Sequence, residues 1–362
     1  DLDDDNYIQI IYNTFKRKKK IIFHEIGNEG VSTIEIGRDI IGNEYIVELS
    51  SSFYLVSPSI ELFNAHYVNR NKALIENNRE YSLGNEGWIY FKLYGDNSRR
   101  KEIITQYIDL LNRKINPEKF FFIRYADPDE HLRIRLKFEN KSIAIQQIRY
   151  IMEWFTEIKE IGLAKNIVFD TYYRESNRYG GDRLIDDIED FFYSDSMFVI
   201  SLLNQFNLDS SDNLEKCYLV GMISVLAELT DGIEEMLKVM DNNSDNPVIR
   251  KEYKKARNEY KNLFDSIYNG EIISKDMSDK VQAAYFQRSV TLKKVKTAML
   301  EEARTDRLTN SKDSIILSMI HMFCNRLYGY NPLEEKYSII LRNILYDKNS
   351  KIQNYKEQYA GK

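Results

Sequence analysis

Between Phe120 and Phe138 the chain alternates so regularly that a pair of β-strands is the conformation that best accommodates it. Aromatic and β-branched residues run from Phe120 to Tyr125, turn formers cluster at Asp127-Pro128-Asp129, and a second alternating run follows from His131 to Lys137. Branched and aromatic side chains suit a pleated surface, and Asp and Pro suit the turn between. In the second strand Leu132, Ile134 and Leu136 share one face, so His131, Arg133, Arg135 and Lys137 share the other. Such a row repels itself. A solvated outer face tolerates the repulsion and an anion-binding site uses it, and the strand alone leaves both readings open.

The neighbouring segments extend the pattern. Residues 88–94 alternate as a strand, with Trp88, Tyr90, Lys92 and Tyr94 on one face and Ile89, Phe91 and Leu93 on the other. Asp96, Asn97 and Ser98 are N-cap residues for a helix reaching Lys114, carrying Ile103, Ile104, Tyr107, Ile108 and Leu111 at helical spacing. A second helix starts at Ser142, with Ile145, Ile148, Ile151, Met152, Phe155 and Ile158 as its expected buried stripe and Gly162 at its end. Residues 166–173 supply one more strand. The order strand, helix, strand, strand, helix, strand is that of the split βαβ unit of ferredoxin-like folds.

Beyond Gly180-Gly181 the strand pattern stops, and helical periodicity fills 183–205, 213–240, 248–267, 277–304, 312–328 and 333–346. The expected class is therefore α+β, a ferredoxin-like sheet followed by a helical bundle region. Residues 1–82 are less regular: a helix over 7–15 and short strands over 21–26, 31–36 and 45–49 fit the glycine spacing. Three parts are expected: 1–82, a candidate peptide-binding region, then 83–182 and 183–362.

Charge narrows the function classes. With 51 basic and 56 acidic residues in 362, the net charge of −5 gives no global reason to expect nucleic acid or an anionic membrane. Any basic function must be local. The run Lys16-Arg17-Lys18-Lys19-Lys20 reads as a solvated loop or helix end, and His24 and His66 lack a second ligand at metal spacing. Cys217 and Cys324, the only cysteines, are too few for a disulfide framework or a structural zinc cluster. No apolar run spans a bilayer and the acidic start is unlike a signal peptide, so a cytoplasmic location is expected.

Two further segments bear on chemistry. Tyr172-Tyr173-Arg174-Glu175-Ser176-Asn177-Arg178-Tyr179-Gly180-Gly181 leaves a strand and turns sharply, placing polar side chains at a sheet edge. Its plain reading is a surface ion pair between Glu175 and a nearby arginine. His321-Met322-Phe323-Cys324-Asn325-Arg326-Leu327 lies on a helix, where an isolated histidine most often packs or caps. Cys324 shares a helical face with His321, but nothing at a recognisable spacing supplies a third group for thiolate catalysis.

Together these segments carry a family resemblance. Trp88-Ile89-Tyr90-Phe91-Lys92-Leu93-Tyr94, Phe122-Ile123-Arg124-Tyr125 through His131-Leu132-Arg133-Ile134-Arg135, Arg178-Tyr179-Gly180-Gly181, and His321 with Asn325-Arg326-Leu327 occur in an ordered series. That series resembles the signature of the C-terminal elimination domain of lantibiotic dehydratases, a family that includes stand-alone thiopeptide biosynthesis proteins. It covers roughly residues 86–345. Many relatives carry a second histidine two residues after the first; here that place is Phe323.

The resemblance implies a lyase acting on a ribosomally made precursor peptide whose Ser or Thr hydroxyl was glutamylated from charged tRNA by a separate subunit. Glutamate would be expelled, leaving dehydroalanine or dehydrobutyrine. Arg133, Arg135 and Arg178 would hold the glutamyl carboxylates or the developing charge, His321 would be the general acid or base, and Glu175 would orient an arginine or assist proton transfer. No cofactor or metal is expected, nor direct contact with nucleic acid or membrane, and a homodimer is left open. Two rivals are a pyridine synthase, which joins two dehydroalanines, and a non-catalytic subunit that binds the leader peptide by strand addition. The front region is too short for a glutamylation domain, so a split system or an excised fragment is expected.

Overall fold

The computed structural model describes residues 80–127, 129–241, 246–329 and 331–359, with two short strands further forward. The chain divides into two compact units, Asp1–Glu61 and Leu62–Lys362. In the first, β1 (Gly37–Arg38) and β2 (Glu44–Tyr45) pair antiparallel. The expected helix at 7–15, the strands at 21–26 and 31–36, the basic run, His24 and His66 lie outside the described residues.

The second unit opens with β3 (Glu80–Tyr81) and β4 (Trp88–Gly95), then the helical stretch α1 at residues 100–115. β5 (Lys119–Ala126), β6 (Glu130–Lys137), α2 (Lys141–Glu160), β7 (Ala164–Phe169) and β8 (Tyr172–Tyr173) follow. The four long strands form one sheet in the order β5-β6-β4-β7, antiparallel throughout. Register decides what each face holds. Ile89, Phe91 and Leu93 lie opposite Leu136, Ile134 and Leu132, while Tyr90, Lys92 and Tyr94 lie opposite Arg135, Arg133 and His131. The first set is buried. Trp154 of α2 covers it, with its ring 6.4 Å from Phe91 and its Nε1 donating to the Tyr107 carbonyl at 3.0 Å.

Three local expectations are corrected. The stripe of α2 that packs inward runs through Ala144, Ile151, Trp154, Phe155 and Ile158, so Ile145 and Met152 face outward, 50% and 39% exposed. The expected strand over 166–173 breaks after Phe169. Asp170 turns to pair with Lys92 at 2.6 Å, and Tyr172-Tyr173 instead pairs with Glu80-Tyr81. The helix following residue 96 begins with a tight turn capped by Asp96 and contains a wider π-type segment, Ile103–Ile108.

The rest is helical: α3 (Asp182–Gln205), α4 (Ser211–Leu229), α5 (Ile233–Met240), α6 (Pro247–Lys255), α7 (Arg257–Tyr268), α8 (Glu271–Asp276), α9 (Asp279–Arg304), α10 (Lys312–Leu327) and α11 (Asn331–Tyr359). The single helix expected over 213–240 is divided at Thr230-Asp231-Gly232, where Gly232 adopts φ 103°, and that over 248–267 at Ala256. The class is α+β. No helix of the described residues is long and apolar enough to cross a membrane.

Two helices dock on the edge strand β5 and so position the site. Phe192 of α3 meets Phe121 with ring centroids 5.5 Å apart. The end of α10 is clamped to β5 by a reciprocal pair: the Arg124 amide donates to Asn325 Oδ1 at 2.8 Å, and Asn325 Nδ2 donates to the Arg124 carbonyl at 2.9 Å. The Arg124 guanidinium adds bonds to the carbonyls of Arg326 and Leu327 at 3.0 and 3.2 Å, capping the helix end. Behind α10, Phe323 fills the space left by the missing side chain of Gly221, where a Cβ would lie 1.9 Å from its ring. Phe323 is thus a buried core residue.

Candidate active site

Between β5, β6, the 172–179 segment, α3 and α10 lies a small cleft of about 30 Å³, into which Arg135, Glu175 and Arg326 project among aromatic walls. Arg135 is 8% exposed. Its guanidinium sits 4.8 Å from the Tyr90 ring, 4.9 Å from Tyr172 and 5.6 Å from Phe121, and its buried Nε has no hydrogen-bond partner among the described residues. Ring faces stabilise a cation but leave its donors unspent. The surrounding phenols do not neutralise it. Burial pushes the Tyr179 hydroxyl up to about 12 and Tyr172 well above its ordinary value, so both stay uncharged, and Tyr172 donates to Glu189 at 2.9 Å.

Arg133 follows the same strand face about 6.7 Å further on. It is held over the Tyr125 ring at 3.3 Å, and its Nε donates to His131 Nε2 at 3.3 Å. His131 can accept there because its Nδ1 is placed to donate to the Asp129 carbonyl at 2.8 Å, which selects the tautomer. The row of nitrogen-rich side chains is thereby relieved: one member is a buried neutral acceptor for another. Burial, with Arg133, Lys92 and Arg100 nearby, holds the His131 pKa below its ordinary 6.5. Its contribution to stability is therefore present above that value and lost as pH falls through the lowered one. Replacing His131 by Phe keeps a ring between Tyr94 and Tyr125 but removes the acceptor. The variant is expected to flatten the acidic limb of the urea-midpoint profile below pH 6.5; an unchanged limb would sink the assignment.

At the rim, Glu175 Oε2 accepts from Arg178 Nη1 at 3.2 Å, and Arg178 Nε donates to Ser318 Oγ of α10 at 3.2 Å. One helical turn past Ser318 is His321, half-buried, its Nδ1 2.9 Å from Glu334 Oε2. The structure thus brings Arg135 and Glu175 into the cleft and ties Arg178 to its rim. Arg133 and His321 stand outside the lining, drawn toward His131 and Glu334 respectively. Cys324 is buried, and burial raises its thiol pKa well above the ordinary value, which removes it as a nucleophile. Among the described residues no cluster of His, Cys, Asp or Glu is grouped to hold a metal ion.

Two participants were missed from sequence. Glu334 lies on another helix, thirteen residues on, and nothing local announces its partner. Arg326 does carry a signal: it continues the stripe of Met319 and Phe323, so an arginine there is on the buried side of α10. It is fully buried, and its Nη1 donates to Asp195 Oδ2 at 2.8 Å.

A cationic, aromatic-walled cleft thus lies between a small antiparallel sheet and a helical array. A family model described as "Lantibiotic biosynthesis dehydratase C-term" matches residues 88–345, and the chain belongs to that family. It is 30% identical over 271 residues to the subtilin biosynthesis protein SpaB of Bacillus subtilis, covering 72% of this chain and 26% of that one. It is 26% identical to the epidermin biosynthesis protein EpiB of Staphylococcus epidermidis, covering 78% and 28%, and 25% identical to the nisin biosynthesis protein NisB of Lactococcus lactis subsp. lactis, covering 74% and 26%. The chain spans about a quarter of the length of these curated relatives. Its fold matches that of the tRNA-dependent lantibiotic dehydratase MibB from Microbispora sp. 107891, with TM-score 0.64 and 20% identity over 73% of this chain and 28% of that one.

Proposed function

We propose that this chain is a lyase that expels glutamate from glutamylated Ser or Thr residues of a ribosomally made precursor peptide. The observation that carries the reading is a buried guanidinium, Arg135, whose Nε lacks a partner among the described residues, at the wall of a cationic, aromatic-lined cleft. A carboxylate is the ligand that best fits such a donor fork. Family membership supplies the reaction class.

In the elimination, the Cα–H bond of the modified residue breaks, its electron pair forms the Cα–Cβ double bond, and the Cβ–O bond breaks as glutamate leaves with the electrons. A base must take the proton, and donors must meet the negative charge on the enolate and the leaving carboxylate. His321, oriented by Glu334, is the proposed base, with Nε2 as the working nitrogen. Arg135 and Arg133 receive the leaving glutamyl group, and Arg178, steadied by Glu175 and Ser318, serves the rim.

The strand order supports reading the sheet as a split βαβ unit, with 83–182 and 183–362 as two parts of one elimination domain. Glutamylation then falls to a separate tRNA-dependent subunit or to protein beyond this chain. Incubation with a purified glutamylated precursor tests the activity: free glutamate and a peptide reduced in mass by the elimination are expected. A macrocycle with released leader would identify a pyridine synthase instead, and binding without turnover a non-catalytic subunit.

A further inference from the structure

His321 reaches its partner across a helix corner. Its Nδ1 lies 2.9 Å from Glu334 Oε2 and 3.1 Å from Oε1, and a carboxylate only accepts, so Nδ1 carries the proton and Nε2 is left bare. His321 is on α10 and Glu334 on α11, with residues 328–330 between the two helices. A connection this short leaves the angle between the helices to be set at the corner itself. Displacing Glu334 by roughly half an ångström is enough to weaken its bond to the imidazole.

Arg124 of β5 occupies the inside of that corner. Its Nε donates to the Arg326 carbonyl at 3.0 Å and its Nη2 to the Leu327 carbonyl at 3.2 Å, the last two residues of α10. Its stem lies under Gly329, which adopts φ 79° and where a Cβ would come within 2.7 Å of Arg124 Cδ and 3.2 Å of Arg124 Cβ. Three contacts therefore bind one side chain to the turn that leads into α11. The docking of α10 does not depend on that side chain. Asn325 bonds the backbone of residue 124, Arg326 Nε donates to the Phe122 carbonyl at 3.0 Å, and the Phe122 amide donates to Ser196 Oγ of α3 at 3.4 Å.

We infer that Arg124 is a positioning residue for His321: by latching the α10–α11 corner to β5 it holds Glu334 where that carboxylate fixes the imidazole as its Nδ1–H tautomer. The latch rests on the contacts of Arg124; its effect on catalysis rests on the elimination reading, in which the bare Nε2 takes the proton. Because β5 pairs with β6, placing Phe121 opposite Arg135 and Ile123 opposite Arg133, the same latch ties the base to the strand that carries the arginines. Without it, the corner is free to relax, Glu334 moves off Nδ1, and the proton redistributes between the two ring nitrogens.

The test is the nitrogen-15 spectrum of the histidine side chains, of which the chain has four, with His321 assigned through His321→Gln. At a pH where the imidazole is neutral, wild-type His321 is expected to be protonated on Nδ1, and Glu334→Ala marks the shifts of the released ring. Arg124→Ala is expected to move His321 more than halfway toward those shifts, and Arg124→Lys, which can reach one carbonyl but has no fork, to fall between. The inference is overturned by a wild-type ring protonated on Nε2, by wild-type shifts in Arg124→Ala or, should it not fold, in Arg124→Lys, and by unfolding of both variants, which would assign Arg124 to the fold alone. Release of glutamate from a glutamylated precursor is scored separately. Arg124→Ala is expected to lower kcat about tenfold with KM little changed, a fraction of the roughly 10²- to 10⁴-fold that a positioned acid–base group supplies. Shifted resonances with unaltered turnover refute His321 as the base and leave the latch, and absence of turnover in the wild type refutes the lyase reading alone. Reduced turnover with wild-type shifts refutes the latch alone.

Discussion

Arg135→Ala is expected to stop elimination and leave the glutamylated peptide accumulating, with turnover down by about 10²- to 10³-fold, the size of effect seen when one preorganised donor is removed from a developing oxyanion. Preorganisation is what makes the number large. Tyr90, Tyr172 and Phe121 hold the guanidinium in place without consuming its donors, so little reorganisation is needed when a carboxylate arrives. Arg135→Lys keeps the charge but not the fork and is expected to recover only part of the loss. Stability is expected to respond differently, because the alanine removes a buried charge that no carboxylate among the described residues balances. Quenched assays read by mass spectrometry, alongside urea unfolding, separate the two effects. A variant that folds and turns over normally would remove Arg135 from the mechanism.

The largest loss of stability is expected at Asp195. Asp195→Ala would leave Arg288 and Arg326, respectively 1% and 0% exposed, facing one another without their shared carboxylate. Breaking a buried ion pair from one side costs about 3–5 kcal/mol, because the remaining charge is stranded. Here two charges are stranded, and Ser224 and the Gly221 carbonyl, which also bind Arg288, recover part of the cost. Asp195→Ala is expected to be insoluble or to show a lowered urea midpoint. An unfolding free energy within about 0.5 kcal/mol of wild type, the range of ordinary surface substitutions, would mean that the cluster is not held together by this carboxylate.

Some of this was legible before any coordinates. The faces of the Glu130–Lys137 strand followed from alternation alone, because a period of two cannot be satisfied any other way. Helix positions followed from apolar spacing, and their errors fell at predictable places. A helix was extended through Thr230-Asp231-Gly232 because periodicity resumes in phase beyond a short break. The stripe of α2 was misassigned because Ile145 and Met152 are apolar residues that happen to face outward, and hydrophobicity alone does not say which neighbour will arrive.

The candidate site was legible in its residue types but not in its partners. Arg135 and Glu175 lie in one cleft although forty residues separate them, whereas Arg133 and His321 lie beside it, each held by a partner. Arg326 was read as part of a motif and assigned no task. Its burial depends on Asp195, from a helix more than a hundred residues earlier in the chain.

What the sequence determined by itself was local periodicity: which residues alternate, which recur every helical turn, and which charges must share a face. Those follow from backbone geometry, which each short segment obeys independently of the rest. What only the tertiary structure decided was which charges are neutralised and which are left open, because pairing is a matter of distance between segments remote in the chain. Arg174 found Glu189 and became part of the frame; Arg135 found aromatic rings, and its Nε is left unpaired among the described residues.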